Sequence, residues 1–249
     1  MKQRLDTALA TRGLVVSRSQ AESWIKLGKV TVNGRVVTKA GHMVSDTTDL
    51  KVTSAERYVS RAGLKLASVA QLLKLDFRDK IVLDVGSSTG GFTDYALQNG
   101  AKKVYAVDVG TEQLHLSLRD DSRIELHEKT DIRDFAPSTR PDIIVIDVSF
   151  VSLRDILPHL ASKASGPQTN IVAMVKPQFE AGRSHTNKGV IKNETVRRQI
   201  LKDFEAWTKD IFVVRDKRDS DISGAKGNRE RFYLLTLKRN STTSPGRMT

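Results

Sequence analysis

The chain has 249 residues, room for one good α/β core and a smaller second domain. Its formal net charge of +12 points to a polyanionic partner, nucleic acid ahead of an anionic membrane surface, because clustered Lys and Arg release counterions from phosphates. The absence of cysteine excludes disulfides, thiol catalysis and thiolate metal sites, and the five histidines show no paired helical spacing, so no structural metal is expected. No run approaches the roughly 20 apolar residues of a bilayer span, and the first residues lack the apolar core of a signal peptide. A cytoplasmic protein without stable membrane insertion is expected.

Leu5, Ala8 and Leu9 give one apolar helical face that ends at Gly13, and Ser17 can cap a second helix carrying Ala21, Trp24 and Ile25 that stops at Gly28. A hairpin follows, with Val30 and Val32 alternating with polar residues, Asn33-Gly34 as the two-residue turn and Val36-Val37 returning. Val44 and then Leu50 with Val52 add short strands that close a small α+β unit. The order of Arg4-Leu5-Asp6, Gly13, Ser17 to Ala21, Ile25, Gly28 and Val30 to Gly34 closely resembles the RNA-binding module of ribosomal small-subunit protein four. That resemblance implies Arg4, Arg12, Arg18, Lys26, Lys29 and Arg35 as RNA-backbone contacts. The other reading is a solvated basic face, with Arg18 partly structural through its packed stem.

A short polar linker, 53–59, separates this unit from the rest. Ser60 then caps a helix whose apolar face is expected to use Leu64, Ala67 or Val69, Leu72 and Leu73. Lys65 lies in its first turns, where a cation opposes the helix dipole, so local stability explains it poorly; a solvated lysine is the alternative. Ile81 to Val85 reads as a buried parallel strand and Phe92 onward as a helix start. The turn between them, Gly86-Ser87-Ser88-Thr89-Gly90-Gly91, is a cradle for a nucleotide-like cofactor or a plain tight connection. It departs from the dinucleotide fingerprint and lacks the Lys-Ser/Thr of a P-loop.

Strands then alternate with helices: 104–109 ending near Asp108, 124–127 followed by Asp131 and Ile132, 142–148 ending at Asp147, and 170–175 ending at Lys176. This predicts a mostly parallel sheet covered on both faces. Ligand sites in such sheets form at the carboxyl ends of strands, so Asp84, Asp108, Asp147 and Lys176 should converge on one rim. An acid about 20 residues past the loop commonly holds a ribose, the role Asp108 would fill. Residues 181–192 read as a mobile loop over the rim, and Asn193 or Thr195 begins a helix through Ile200, Leu201, Phe204 and Trp207. Strands 211–214 and 231–237, joined by a polar connection, make an antiparallel edge pair, and the tail after Lys238 reads as disordered.

Two lysines, Lys65 and Lys176, and two carboxylates, Asp147 and Glu230, suit transfer of an activated group to an oxygen. A lysine desolvated beside another cation can act as base while carboxylates orient it. Acyl transfer would want a nucleophile paired with His, and none is evident.

Five strings in order, 60–66, 84–93, 147–153, 176–180 and 227–230, resemble the TlyA family of rRNA 2′-O-ribose methyltransferases, often labelled haemolysins. In that family the RNA-binding module precedes an FtsJ-type catalytic domain with a Rossmann-like sheet. The resemblance implies domains at 1–59 and 60–239 with a tail at 240–249, S-adenosyl-L-methionine as donor, and ribosomal RNA or ribosomal subunits as partner. It implies a tetrad of Lys65, Asp147, Lys176 and Glu230, with Lys176 as base. Asp84, Gly86, Ser87, Ser88, Gly90, Gly91 and Phe92 would face the methionine part of the donor, Asp108 its ribose, and Asp131 with Ile132 its adenine. The bland readings are Asp84 as a turn cap, Asp131 as a helix cap and Glu180 as a solvated loop acid. Two other functional classes stand beside the enzyme: a non-catalytic RNA-binding or ribosome-assembly factor, and a membrane-lytic haemolysin.

Overall fold

The computed structural model describes residues 2–15, 18–26, 28–52, 57–181, 190–191, 193–224 and 227–238. Ser17 as a cap, the loop glycines at 182 and 189, linker positions 53–56 and the tail at 240–249 lie outside the described residues. The chain divides into two units, residues 1–57 and 58–249.

In the first unit, α1 (Leu5–Thr11) and α2 (Arg18–Lys26) pack on a three-stranded sheet ordered β3 (Arg35–Val36), β2 (Val30–Val32), β5 (Leu50–Val52). Its core includes Leu5, Ala8, Leu9, Ala21, Ile25, Val30 and Val44. The hairpin turn has positive φ at both Asn33 and Gly34, the mirror-image turn whose twist matches the strands it joins. One strand is not evident from the sequence pattern: β1 (Lys2–Arg4) pairs antiparallel with β4 (Met43–Ser45). Three residues of polar sequence carry no alternation to betray it.

The second unit is α/β, with a seven-stranded sheet. In chain order its strands are β6 (Ile81–Val85), β7 (Lys103–Val107), β8 (Ile124–His127), β9 (Ile143–Ile146), β10 (Asn170–Val175), β11 (Phe212–Asp219) and β12 (Arg231–Leu237). They are arranged β11-β12-β10-β9-β6-β7-β8, parallel except for β12, which runs antiparallel between β10 and β11. Strand order reverses between β6 and β9, the switch point where such sheets open a crevice. One core on each face buries the strands, whose Ile, Val and Leu run suits double coverage.

Three expectations need correction. α3 (Arg61–Ala70) buries Leu66, Val69 and Ala70, with Leu73 just beyond it, an i, i+3, i+4, i+7 stripe, whereas Leu72 is exposed. Ser60 occupies the cap position without a side-chain capping bond. The edge strand β11 continues past Val214 to Asp219, through a bulge at Arg215, where the sequence pattern predicts a polar connection. Alternating charges on an edge strand resist pairing with other chains and so imitate a loop in sequence.

Candidate active site

Strand register assembles the rim. Val85 pairs with Ile146, Ile146 with Ala173 and Val175 with Arg231, so Gly86, Asp147, Lys176 and Glu230 lie one step beyond paired positions, and Asp108 follows β7. Gly86 has φ +79°, and a β-carbon there would lie 2.9 Å from the Asp147 carbonyl oxygen, so only glycine lets the loop pass the end of β9.

Lys176 Nζ lies 2.6 Å from Asp147 Oδ1 and donates to Ser149 Oγ at 2.7 Å. Lys65 Nζ lies 2.5 Å from Glu230 Oε2. Both carboxylate contacts are charge pairings without the angles of directed hydrogen bonds. Lys65 and Lys176 are each 9% exposed and Glu230 3%, so each ammonium is held by a carboxylate out of bulk water.

Two adjoining cavities open here. A cleft of about 580 Å³ takes in Gly86, Ser88, Asp108, Asp131, Ile132 and Asp147, within the size range of cofactor sites. A smaller one of about 150 Å³ includes Asp84, Ser87, Phe92, Asp147, Ser149 and Lys176. Gly86, Ser88, Asp147 and Ser149 border both. Asp84 is 1% exposed; its Oδ2 accepts from the Thr93 amide at 2.9 Å and hydroxyl at 2.7 Å, while Oδ1 and the Ser87 hydroxyl are buried without a protein partner. Burial pushes the Asp84 carboxyl up to about 7, resisted by the Thr93 bonds and reinforced by the charge of Asp147. Two orphaned polar groups beside one small cavity are what a cavity for a zwitterionic amino-acid group would present.

Asp108 accepts from the Ser88 amide at 2.8 Å and the Gly110 amide at 2.7 Å, which fixes its carboxylate in the lining of the larger cleft. Asp131 caps the turn at Ile132–Asp134 and is gripped by Arg133 at 2.9 and 2.6 Å, a pairing that holds its carboxyl down at about 2. Its capping role therefore exists alongside its place in the cleft wall. Glu180 is no solvated loop acid: its side chain is 2% exposed, and it accepts from Ser152 Oγ at 2.6 Å and the Leu153 amide at 2.8 Å, at the start of α6 (Leu153–Lys163). Burial pushes its carboxyl up against those bonds.

Four of the candidate positions border neither cavity. Lys65 and Glu230 form their pair outside both. A β-carbon at Gly90 would meet Leu114 and Leu118, and one at Gly91 would meet Ser60, Ala62 and the Gly63 amide. Ser149 and Phe150 are site residues that sequence reasoning leaves without a role of their own. Phe150 is 92% exposed at φ +68°, lines the larger cleft and meets Phe179 at 5.2 Å between ring centroids. An exposed aromatic in left-handed backbone is a feature that sequence composition does not signal.

In the first unit the six basic candidates divide. Arg4 and Arg18 both bond the fully buried Asp6, at 2.8 to 3.0 Å, and hold its carboxyl well below the usual range. Arg12 donates to the carbonyls of Thr48 and Ser45 at 2.7 Å. These three guanidiniums brace their own unit, while Lys26 and Arg35 are exposed and Lys29 is half-buried.

A switch-point crevice lined by a glycine loop and the acid after β7, with two lysine–carboxylate pairs at the same strand ends, places the second unit in the Rossmann-like class. The FtsJ-like methyltransferase family matches residues 58–238 and an S4 domain matches residues 3–50. The chain belongs to the TlyA family of S4-bearing, FtsJ-like methyltransferases. It is 41% identical over 94% of its length to the 16S/23S rRNA (cytidine-2′-O)-methyltransferase TlyA of Mycobacterium tuberculosis, covering 90% of that protein. It is 36% identical over 92% of its length to the 23S rRNA (cytidine-2′-O)-methyltransferase TlyA of Campylobacter jejuni, covering 98% of it. A solved structure from Streptococcus thermophilus, provisionally named a hemolysin, superposes with TM-score 0.76 at 40% identity, covering 95% of this chain and 88% of that one. Among the described residues no helix is long and apolar enough to cross a membrane.

Proposed function

We propose that the protein transfers the methyl group of S-adenosyl-L-methionine to a ribose 2′-hydroxyl of ribosomal RNA in the cytoplasm. The single observation that carries the assignment of the site is Lys176, held by Asp147 and Ser149 where the two cavities adjoin. When bound, the donor supplies a sulfonium methyl already activated for transfer. The orphaned Asp84 Oδ1 and Ser87 hydroxyl suit its amino-acid end, and Asp108 suits its ribose hydroxyls. Lys176 Nζ, in its amine form, receives the proton of the acceptor hydroxyl, and Asp147 orients that nitrogen and favours the ammonium that results. The larger share of the rate then comes from alignment of two held reactants.

The S4 unit and the net charge of +12 support an RNA acceptor. The exposed Phe150 ring gives an unstacked base a surface to pack on. Cytidine, the nucleoside in the names of the two TlyA relatives, is the first acceptor to test. The test incubates the protein with purified ribosomal subunits and tritiated donor. Label in rRNA is expected, and Lys176→Ala should abolish it in protein that circular dichroism shows to be folded, with rates normalised to donor-binding sites. Full labelling by that variant would remove Lys176 from the reaction.

A further inference from the structure

Glu230 is surrounded by a bonding pattern that reaches well beyond its partner Lys65. Its carbonyl accepts from the Ser220 amide at 3.0 Å, and a β-carbon at Gly224 would overlap its Oε1. The residues on either side are tied to one carboxylate. Arg231 forks onto Asp219 at 2.7 and 3.0 Å, and Arg229 lies 3.8 Å from the same group. Asp219 also receives Arg197 Nη2 at 2.6 Å. Arg197 stands on α8 (Glu194–Thr208), is 4% exposed, and its Nε donates to the Arg229 carbonyl at 3.1 Å. Its Nη1 reaches Glu194 at 3.2 Å. Burial alone would raise the Asp219 carboxyl, but the Arg231 and Arg197 bonds overcome it and hold it at about 2, so the hub is ionised throughout the working range.

We infer that Arg197 and Asp219 are positioning residues that fix the backbone on both sides of Glu230 and thereby aim its carboxylate at Lys65. A buried arginine is a poor way to gain stability, since apolar side chains of like volume often serve as well. This one spends its donors on a carbonyl next to Glu230 and on the acid that holds the following residue. Neither Arg197 nor Asp219 borders either cavity, so each acts through Glu230. The inference rests on the reading that Glu230 contributes to methyl transfer.

The experiment measures kcat and KM for S-adenosyl-L-methionine with ribosomal subunits, for the full chain carrying Arg197→Met, Asp219→Asn, Glu230→Gln, and Arg197→Met combined with Glu230→Gln. Rates are normalised to the number of donor-binding sites, which removes any loss through partial unfolding. Arg197→Met and Asp219→Asn should lower normalised kcat roughly tenfold to a hundredfold with KM for the donor unchanged, the effect of a small misplacement. Arg197→Lys, which keeps a donor toward Asp219, should restore part of it. In the Glu230→Gln background, Arg197→Met should cost nothing further, because the two act through one group. Losses that multiply in the double variant, or normalised kcat unchanged in Asp219→Asn, would overturn the inference. Should Arg197→Met fail to fold, Asp219→Asn and its combination with Glu230→Gln carry the same cycle. If Glu230→Gln alone leaves kcat intact, the reading of Glu230 falls instead, whatever the Arg197 variants do.

Discussion

Asp84 offers the sharpest quantitative test of the site. Burial pushes its carboxyl up to about 7 in the folded chain, from an ordinary 3.8. At about 1.4 kcal/mol per pH unit, the difference is worth roughly 4 kcal/mol. The sign follows from proton counting. Between the two values the folded chain holds a proton on Asp84 that the unfolded chain has released, so stability falls as pH rises from about 4 to about 7 and is flat above. Asp84→Asn removes that slope. The amide would leave an NH2 unpaired where Oδ1 is orphaned now, a constant cost of about 1 to 3 kcal/mol. The variant's melting temperature should therefore gain on the native chain as pH is raised from 5 to 7.5, by something on the order of 10 °C. An equal difference at both ends would refute the burial argument.

The same group should link pH to donor affinity. If the ionised carboxylate receives the donor's ammonium, each pH unit below 7 weakens binding about tenfold, because only the ionised fraction is competent. Calorimetric titration should show that slope in the native chain and a flat profile in Asp84→Asn. A native chain with constant affinity between pH 5.5 and 7.5 would separate Asp84 from the donor site.

Gly86→Ala should lose about 1 to 3 kcal/mol of stability and lose donor binding, since a β-carbon must meet the Asp147 carbonyl at 2.9 Å from a backbone held at φ +79°. Thermal melts and calorimetry read both effects. Phe150→Ala should leave the melting temperature unchanged and raise KM for the ribosomal subunit by a larger factor than it weakens donor binding, read by tritium transfer and calorimetry. Lys26→Gln with Arg35→Gln should weaken subunit binding and make its dependence on log salt shallower by about 1 for each phosphate that is no longer neutralised. Arg12→Met should lower the stability of the first unit, because Arg12 ties α1 to the carbonyls of Ser45 and Thr48.

How much of the fold could be read in sequence depended on what each pattern constrains. Two central strands of the large sheet, β9 and β10, are apolar runs followed by Asp147 and Lys176, and burial on both faces leaves few other uses for such runs. The helix at 61–70 offers two overlapping apolar stripes. The choice between them is made in three dimensions, where Gly63 seats against the Gly91 carbonyl and turns Leu66 and Val69 inward. Glu180 stands 27 residues along the chain from Leu153, whose amide it accepts, so its burial there is a tertiary fact. The rim itself was legible, because parallel strands bring their carboxyl ends together. The partners of its charged groups were not, since charge alone leaves open which lysine meets which carboxylate.

The pairing gives the four charged residues different work. Lys176 and Asp147 border the smaller cavity, with Ser149 completing the set, so they can meet an acceptor hydroxyl directly. Lys65 and Glu230 border neither cavity and are buried as a close pair. Glu230 immediately precedes the strand whose Arg231 pairs with Val175, the residue before Lys176, so the second pair is placed beside the first by the ladder itself. A fixed ion pair next to Lys176 adds an oriented field without contributing a group to the cavity, and in a dry site such a field persists through the reaction with no reorganisation cost. On the proposed mechanism, replacing Lys176 would remove the group that takes the proton, whereas replacing Glu230 would leave that group in place with its environment altered. Lys176→Ala should therefore be inactive at every pH, and Glu230→Gln should retain measurable methyl transfer whose pH profile is displaced from that of the native chain. A Glu230→Gln profile superimposable on the native one would assign the second pair to packing alone.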